Sequence, residues 1–354
     1  MTRYAALQGY LPGQAAFCRA SGSPFSALVL EQMGVGLGQG GPYDALFLPW
    51  AEASGLQVFT DAVPLRLLGA FHYLVLSGRA PGLATLYPPA AIEPDPDVLR
   101  AAMAEAVQAH GRIARDFMAS PPQTNEVARS LCLVGGFLTV AAETGAPLRC
   151  LELGASAGLN MNWDRFGYRF GEDAGWGDLG GPVQLQGDWT GGIPPRPAVE
   201  VIERLGCDQN PIDVRDPDRA LRLQSYVWAD QALRLARLRG AIALKQETGG
   251  TPVRADAADW AEAHVHPAPG LATIVYHSVF LQYPPPATQA RIRAAIEAGG
   301  AAASAGAPLA WLRMEPDPGN MIGPMEVRLT LWPGGAERLL ARVHPHGASV
   351  EWLG

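Results

Sequence analysis

Apolar residues along this chain follow two rhythms, and the change between them falls near residue 147. Before it, they recur at helical spacing. Val127, Leu131, Val134, Leu138 and Ala141 repeat at four and three residues, which predicts a helix over Thr124–Thr144 stopped by Gly145 and Pro147. Leu99, Met103, Val107, Ile113 and Phe117 mark a stripe over Asp95–Ala119, and Val63–Ser77 is strongly apolar. Ser23 ahead of Pro24 has the form of a cap and first-turn proline for a helix running to Met33. The expectation is a helical N-terminal region over residues 1–146.

From Leu148 onward, short apolar runs alternate with helical segments. Strands are expected at Leu148–Leu153, Arg204–Cys207, Pro252–Arg254, Leu271–Tyr276 and Leu309–Met314. Helices are expected over Ala157–Phe166, Asp218–Gln246, Trp260–His264 and Thr288–Ala298. Two last strands, Glu326–Trp332 and Arg338–His344, flank Pro333-Gly334-Gly335 as a hairpin. The Gly- and Trp-rich stretch at about 167–197 has the character of an insertion with one strand, Val183–Gly187. Right-handed crossovers make the first five strands parallel, so residues 147–354 form an α/β core.

Composition narrows the function classes. With 48% hydrophobic and 17% charged residues, the chain is too apolar for disorder. A net charge of −7 provides no electrostatic footprint for nucleic acid. Cys18, Cys132, Cys150 and Cys207 form no C-x-x-C pair and are expected to be buried hydrophobes. His264-Val265-His266 and His344-Pro345-His346 lack a third ligand at metal spacing, so no metal is expected. Met1-Thr2-Arg3-Tyr4 opens no signal-peptide core, and no uncharged apolar stretch reaches the ~20 residues of a membrane span, so a cytoplasmic protein is expected.

Candidate chemistry concentrates at the strand ends. Leu148–Asn160 runs L-R-C-L-E-L-G-A-S-A-G-L-N, an apolar strand, an acid at Glu152, and a small-residue turn from Gly154 through Ser156 to Gly158. Such turns bring backbone close to a ligand, although packing alone also calls for small residues there. Ligands in open α/β sheets lie beyond the carboxyl ends of the strands. Those ends carry Glu152, Asp208, Asp256-Ala257, His277-Ser278 and Glu315, with Asp188 a rival to Asp208 because of the insertion. His277, with Tyr283 nearby in sequence, is the candidate base. Gln123, Asn125, Glu126 and Arg129 form a polar cluster ahead of an apolar stripe and are candidate substrate contacts. Ser156 also sits in G-A-S-A-G, which formally matches the G-x-S-x-G elbow of serine hydrolases.

An acid two residues before G-x-x-x-G resembles the first motif of S-adenosylmethionine-dependent methyltransferases. That resemblance implies a Rossmann-like core of seven strands, mostly parallel, in which one strand of the C-terminal hairpin enters between neighbours. It implies S-adenosylmethionine as cofactor, with Asp208 on the ribose, Asp256 and Ala257 beside adenine, Glu152 near the methionyl end, and Gly154, Ser156 and Gly158 as further cofactor-binding residues. The acceptor is a small molecule or a protein side chain. Ser156 departs from the usual central glycine. Across nearly the whole chain, P-P-Q-T-N-E (121–126), L-E-L-G-A-S-A-G-L-N (151–160), G-C-D-Q-N-P-I-D (206–213), V-R-A-D-A (253–257) and Y-H-S (276–278) resemble the bacterial family called domain of unknown function 2332. That family carries no assigned activity. A serine hydrolase using Ser156 and a non-catalytic binding module remain the alternatives.

Overall fold

The computed structural model describes residues 3–172, 174–317 and 320–354; Met1 and Thr2 of the opening stretch lie outside them. The chain forms two compact units, Met1–Thr124 with Asp216–Ala236, and Asn125–Arg215 with Arg237–Gly354.

The first unit is helical: α1 (Ala5–Ala20), α2 (Pro24–Gly36), α3 (Asp44–Phe47), α4 (Gly55–Thr60), α5 (Val63–Leu76), α6 (Pro81–Ala84), α7 (Pro96–Ala109) and α8 (Gly111–Met118). The stripe expected over Asp95–Ala119 breaks at His110 into α7 and α8. Helix α5 is buried on nearly every side, which explains its continuous apolar sequence. Gly55–Leu76 is long and apolar enough by composition to cross a membrane, but 67% of its most apolar 18-residue stretch lies inside the protein, as in a core helix. Ser23 makes no side-chain cap. Asp230 instead reaches the start of α2 from far along the chain, accepting from the Phe25 N–H at 2.8 Å and from the Ser23 hydroxyl. The expected long helix over Asp218–Gln246 is two, α10 (Pro217–Ser225) and α11 (Ala232–Thr248), and the first returns to this unit.

The second unit is built on a nine-stranded sheet. Its parallel half is β1 (Leu148–Leu153), β6 (Val201–Asp208), β7 (Val253–Arg254), β8 (Ala272–Ser278) and β9 (Leu309–Asp317). The other half is β5 (Asp188–Gly191), β10 (Asn320–Trp332), β11 (Glu337–Val343) and β12 (Ser349–Trp352). The order is β5-β12-β11-β10-β9-β8-β1-β6-β7. The five expected parallel strands are therefore present and lie together. The C-terminal hairpin is in the same sheet, but β10 pairs directly with β9 and continues as a meander through β11 to β12. No hairpin strand enters between neighbours, and the sheet has nine strands, not seven. Residues 167–197 hold a small second sheet of β2 (Gly167–Phe170), β3 (Ala174–Gly177) and β4 (Gln184–Leu185), while β5 leaves to join the main sheet.

Helix α9 (Arg129–Thr144) packs on β8–β11, while α12 (Ala257–His264) and α13 (Pro286–Ala301) also pack on the sheet. That is why the division between units falls at Thr124/Asn125 and not at 146/147: α9 buries its stripe on the sheet. Gly135 and Gly136 allow the close approach, since a Cβ on either would run into Trp352 or Leu312. Gly135→Ala removes a glycine that costs a helix about 1 kcal/mol. It nevertheless forces a methyl into a rigid, buried indole, and overpacking of this kind costs about 1–3 kcal/mol. Urea denaturation is expected to show a less stable variant; a more stable one would mean that α9 does not press on Trp352.

Candidate functional site

The strand order reverses between β1 and β8, and the carboxyl ends of β1, β6, β7, β8 and β9 meet there, the usual position of a ligand in such sheets. Beyond β1 the backbone turns through left-handed conformations at Gly154 (φ 69°), Ser156 (φ 53°) and Gly158 (φ 69°). Ser156 pays a steric penalty that glycine does not. The turn is locked to β6: the Ser156 N–H donates to Asp208 Oδ2 at 2.8 Å, and the Asn210 N–H donates to Asp208 Oδ1 at 2.8 Å. Asp208 is half-exposed. The rival Asp188 sits on β5, at the opposite edge of the sheet, and is excluded from this site.

Residues 121–126 form no helix, and α9 begins only at Arg129. Asn125 caps no helix: its Oδ1 accepts from the Leu159 N–H at 3.0 Å, just past the glycine turn. Asn160 donates to the Glu126 carbonyl at 3.2 Å and accepts from the Ser130 hydroxyl at 2.9 Å. Arg129 donates to the Pro345 and Ser278 carbonyls at 3.2 and 3.3 Å. Asn125 and Glu126 thus tie the segment that follows the turn in place, while Arg129 is bonded to the end of β8. Burial lowers the Arg129 guanidinium below its ordinary value, against the pull of Glu126. Gln123 belongs to the first unit. The segment after Gly158 is a short 3-10 stretch, Leu159–Arg165, not the expected α-helix.

Glu152 lies behind the turn, 4% exposed, with the Tyr276 hydroxyl donating to it at 3.2 Å. Burial drives its carboxyl up to about 8, although Tyr276 and Lys245 pull the other way. His277 is fully buried. Its Nε2 accepts from the Trp311 indole at 3.0 Å, so Nδ1 carries the proton and donates to Glu315 Oε1 at 2.6 Å. The pair is therefore a hydrogen bond rather than an ion pair, and no ring nitrogen is left for a substrate proton. The base role expected of His277 is not available in this arrangement. Glu315 Oε1 also accepts from the Phe280 and Leu281 N–H groups, at 2.9 and 3.2 Å. Burial raises the Glu315 carboxyl, but these bonds outweigh it and hold the group below the usual carboxylate range. Tyr283 is 74% exposed and lies within electrostatic reach of Arg129.

Two features escape sequence reasoning. Val279 adopts φ 51°, a genuine outlier for a β-branched residue. It directs the Phe280 ring onto Gly154, where an added Cβ would collide with it. Strained non-glycine backbone on both sides of the reversal, at Ser156 and Val279, is typical of functional sites. Second, Ser156 Oγ and Glu315 Oε2 are buried with no hydrogen-bond partner among the described residues, and native proteins rarely leave such atoms orphaned. Asp256 caps α12 through Oδ1, accepting from the Ala258 and Asp259 N–H groups at 2.8 and 3.3 Å. The Ala257 N–H is a first-turn donor without an intrahelical partner.

The remaining candidates are structural. All four cysteines are buried and unpaired, and burial pushes the thiols of Cys132, Cys150 and Cys207 up to about 12. Among the described residues no group of three or more His, Cys, Asp or Glu side chains is arranged to hold a metal. No histidine bonds the Ser156 hydroxyl, so the hydrolase arrangement is missing its base.

A family model described as an uncharacterized protein conserved in bacteria, DUF2332, matches residues 10–352. No curated protein and no solved structure matches the chain.

Proposed function

The chain belongs to that bacterial family, and from the geometry at the strand reversal we propose that it is an S-adenosylmethionine-dependent methyltransferase acting on a small molecule or a protein side chain. The observation that carries this reading is the set of acceptors gathered at the strand ends: Ser156 Oγ and Glu315 Oε2, buried with no partner among the described residues, and the half-exposed carboxylates of Asp208 and Asp256, which have lone pairs beyond those their backbone bonds use. A ligand with a diol, an exocyclic amine and two positive charges matches that set better than a phosphate does. The 3-10 stretch after Gly158 offers no long helix dipole for a pyrophosphate.

Asp208 would take the ribose hydroxyls, and Asp256 with the Ala257 N–H would take the adenine edge. The methionyl end would lie towards Gly154, where the Phe280 ring now packs, so binding requires that ring to move. The bound cofactor supplies an electrophilic methyl group on a sulfonium. Transfer from it depends on proximity and alignment more than on proton transfer, so an occupied His277 does not oppose the reading.

S-adenosylhomocysteine is expected to raise the melting temperature; at a hundredfold excess over Kd the linkage amounts to about 2.7 kcal/mol. Asp256→Asn keeps the helix cap, because asparagine caps as well as aspartate. It turns an amide towards the adenine amine, and the variant should melt like the wild type alone while losing about tenfold in affinity. No melting shift with either the cofactor or its demethylated product would end this reading. A shift unchanged in the variant would move the adenine elsewhere.

A further inference from the structure

None of the residues assigned to the cofactor lines a cavity of about 400 Å³ walled by Met161, Asn162, Arg165, Arg204, Lys245 and Thr248, with Glu247 and Gly249-Gly250 at its side. Lys245 is the chain's only lysine. It is 5% exposed, yet among the described residues its amine donates to no oxygen; its one polar contact is the Met161 thioether at 3.9 Å. Glu152 on β1 and Arg204 on β6 act on it only through their charge. A thioether is a weak acceptor, so this is a poor way to stabilise a buried ammonium. A leucine or methionine would fill the space without the desolvation cost. The other cations divide clearly. Arg204 is neutralised by its ion pair with Asp164 at 2.5 Å. Arg165 is exposed and makes no ion pair among the described residues.

We propose that this cavity is a covalent site for a small carbonyl compound bearing a carboxylate, with Lys245 as the amine that forms the imine and Arg165 as the anchor for the carboxylate. The Lys245 Nζ lone pair attacks the carbonyl carbon, a C–N bond forms, and the carbonyl π pair moves to oxygen. The two protons released from nitrogen pass to that oxygen, Glu247 being a carboxyl on the same wall that can relay them. Water leaves as the C=N bond closes. One amine and one carbonyl yield one imine and one water, with no oxidant or reductant. Burial supports the chemistry by lowering the amine to about 8. At pH 7 that raises the neutral, nucleophilic fraction roughly three hundredfold over an ordinary lysine. This site stands apart from the adenosyl reading and survives its failure.

The test is reductive trapping of the whole protein with glyoxylate and sodium cyanoborohydride, mapped by peptide mass spectrometry. A single lysine makes the result unambiguous, and the N-terminal amine is the internal reference. Lys245 is expected to be alkylated about tenfold faster than that reference. Arg165→Ala should slow trapping of glyoxylate about tenfold while leaving trapping of neutral acetaldehyde unchanged, as loss of a charge-assisted contact predicts. Modification of the N-terminus with Lys245 untouched would overturn the proposal. So would equal trapping of glyoxylate in Arg165→Ala and the wild type, since Lys245 would then be merely an accessible amine.

Discussion

Replacing Glu152 with glutamine is expected to make the protein more stable at pH 8, by roughly 3 kcal/mol, and to change little at pH 4.5. Burial raises the folded carboxyl from its ordinary value of about 4.3 to about 8. Between those two values the folded chain keeps a proton that the unfolded chain has released. Stability therefore falls as pH rises through that window, by about 1.4 kcal/mol per pH unit, and the fall ends above the folded value. Glutamine does not titrate and still accepts from the Tyr276 hydroxyl. Part of the gain is offset because the Lys245 amine loses a favourable neighbour. Urea denaturation at pH 4.5 and pH 8 measures the difference directly. Equal stability of the two proteins at pH 8 would show that Glu152 ionises freely in the folded state. An acid kept at such a cost, two residues before the turn, is the kind of group that function retains.

Much of the fold was legible because the signals are local. Alternation of apolar runs with helical stripes located all five parallel strands to within a few residues, and the Pro-Gly-Gly turn located β10 and β11. What was not legible depends on partners far along the chain. Asn125 has the chemistry of a helix cap, but its carbonyl oxygen satisfies the Leu159 N–H across the turn instead. Ser23 looked like a cap, and Asp230 does the capping. The path of the hairpin is a question of sheet-edge pairing, which no local pattern encodes. One further strand after it, β12, and the insertion strand β5 extend that edge.

The site divides in the same way. Acids at strand ends are visible from the alternation itself, so Glu152, Asp208 and Asp256 could be named in advance. Their committed lone pairs could not. Nothing in the sequence marks Val279 as left-handed, and Phe280 reaches Gly154 only because it is. His277 looked like a base because histidine follows a buried strand. Its use is settled by Trp311 and Glu315, both on the neighbouring strand β9. The lone lysine was an available signal for its cavity: in a chain whose other basic residues are all arginine, Lys245 invites the question of what an amine does there.

Glu315→Ala is expected to cost about 3–5 kcal/mol at neutral pH, enough to unfold a marginal protein. One oxygen, Oε1, accepts from His277 Nδ1 and from the N–H groups of Phe280 and Leu281. Alanine orphans all three donors in a buried setting, and each carries a desolvation penalty of about 1–3 kcal/mol. Glu315→Gln separates geometry from charge. Its amide oxygen can keep the three bonds, while its amide nitrogen takes the place of Oε2, which has no partner among the described residues. A loss of about 1–2 kcal/mol is expected there, from the charge and the unpaired amide. The wild type should also lose this stabilisation in acid. The folded carboxyl lies below its ordinary value, so the contribution is fully present above the unfolded value of about 4.3 and disappears as pH falls through the folded one. The glutamine variant should lack that acid limb. Chemical denaturation of the three proteins between neutral pH and pH 3 provides the comparison. If Glu315→Ala is as stable as the wild type, His277 is not held by Glu315, its Nδ1 is free, and the base role returns to it.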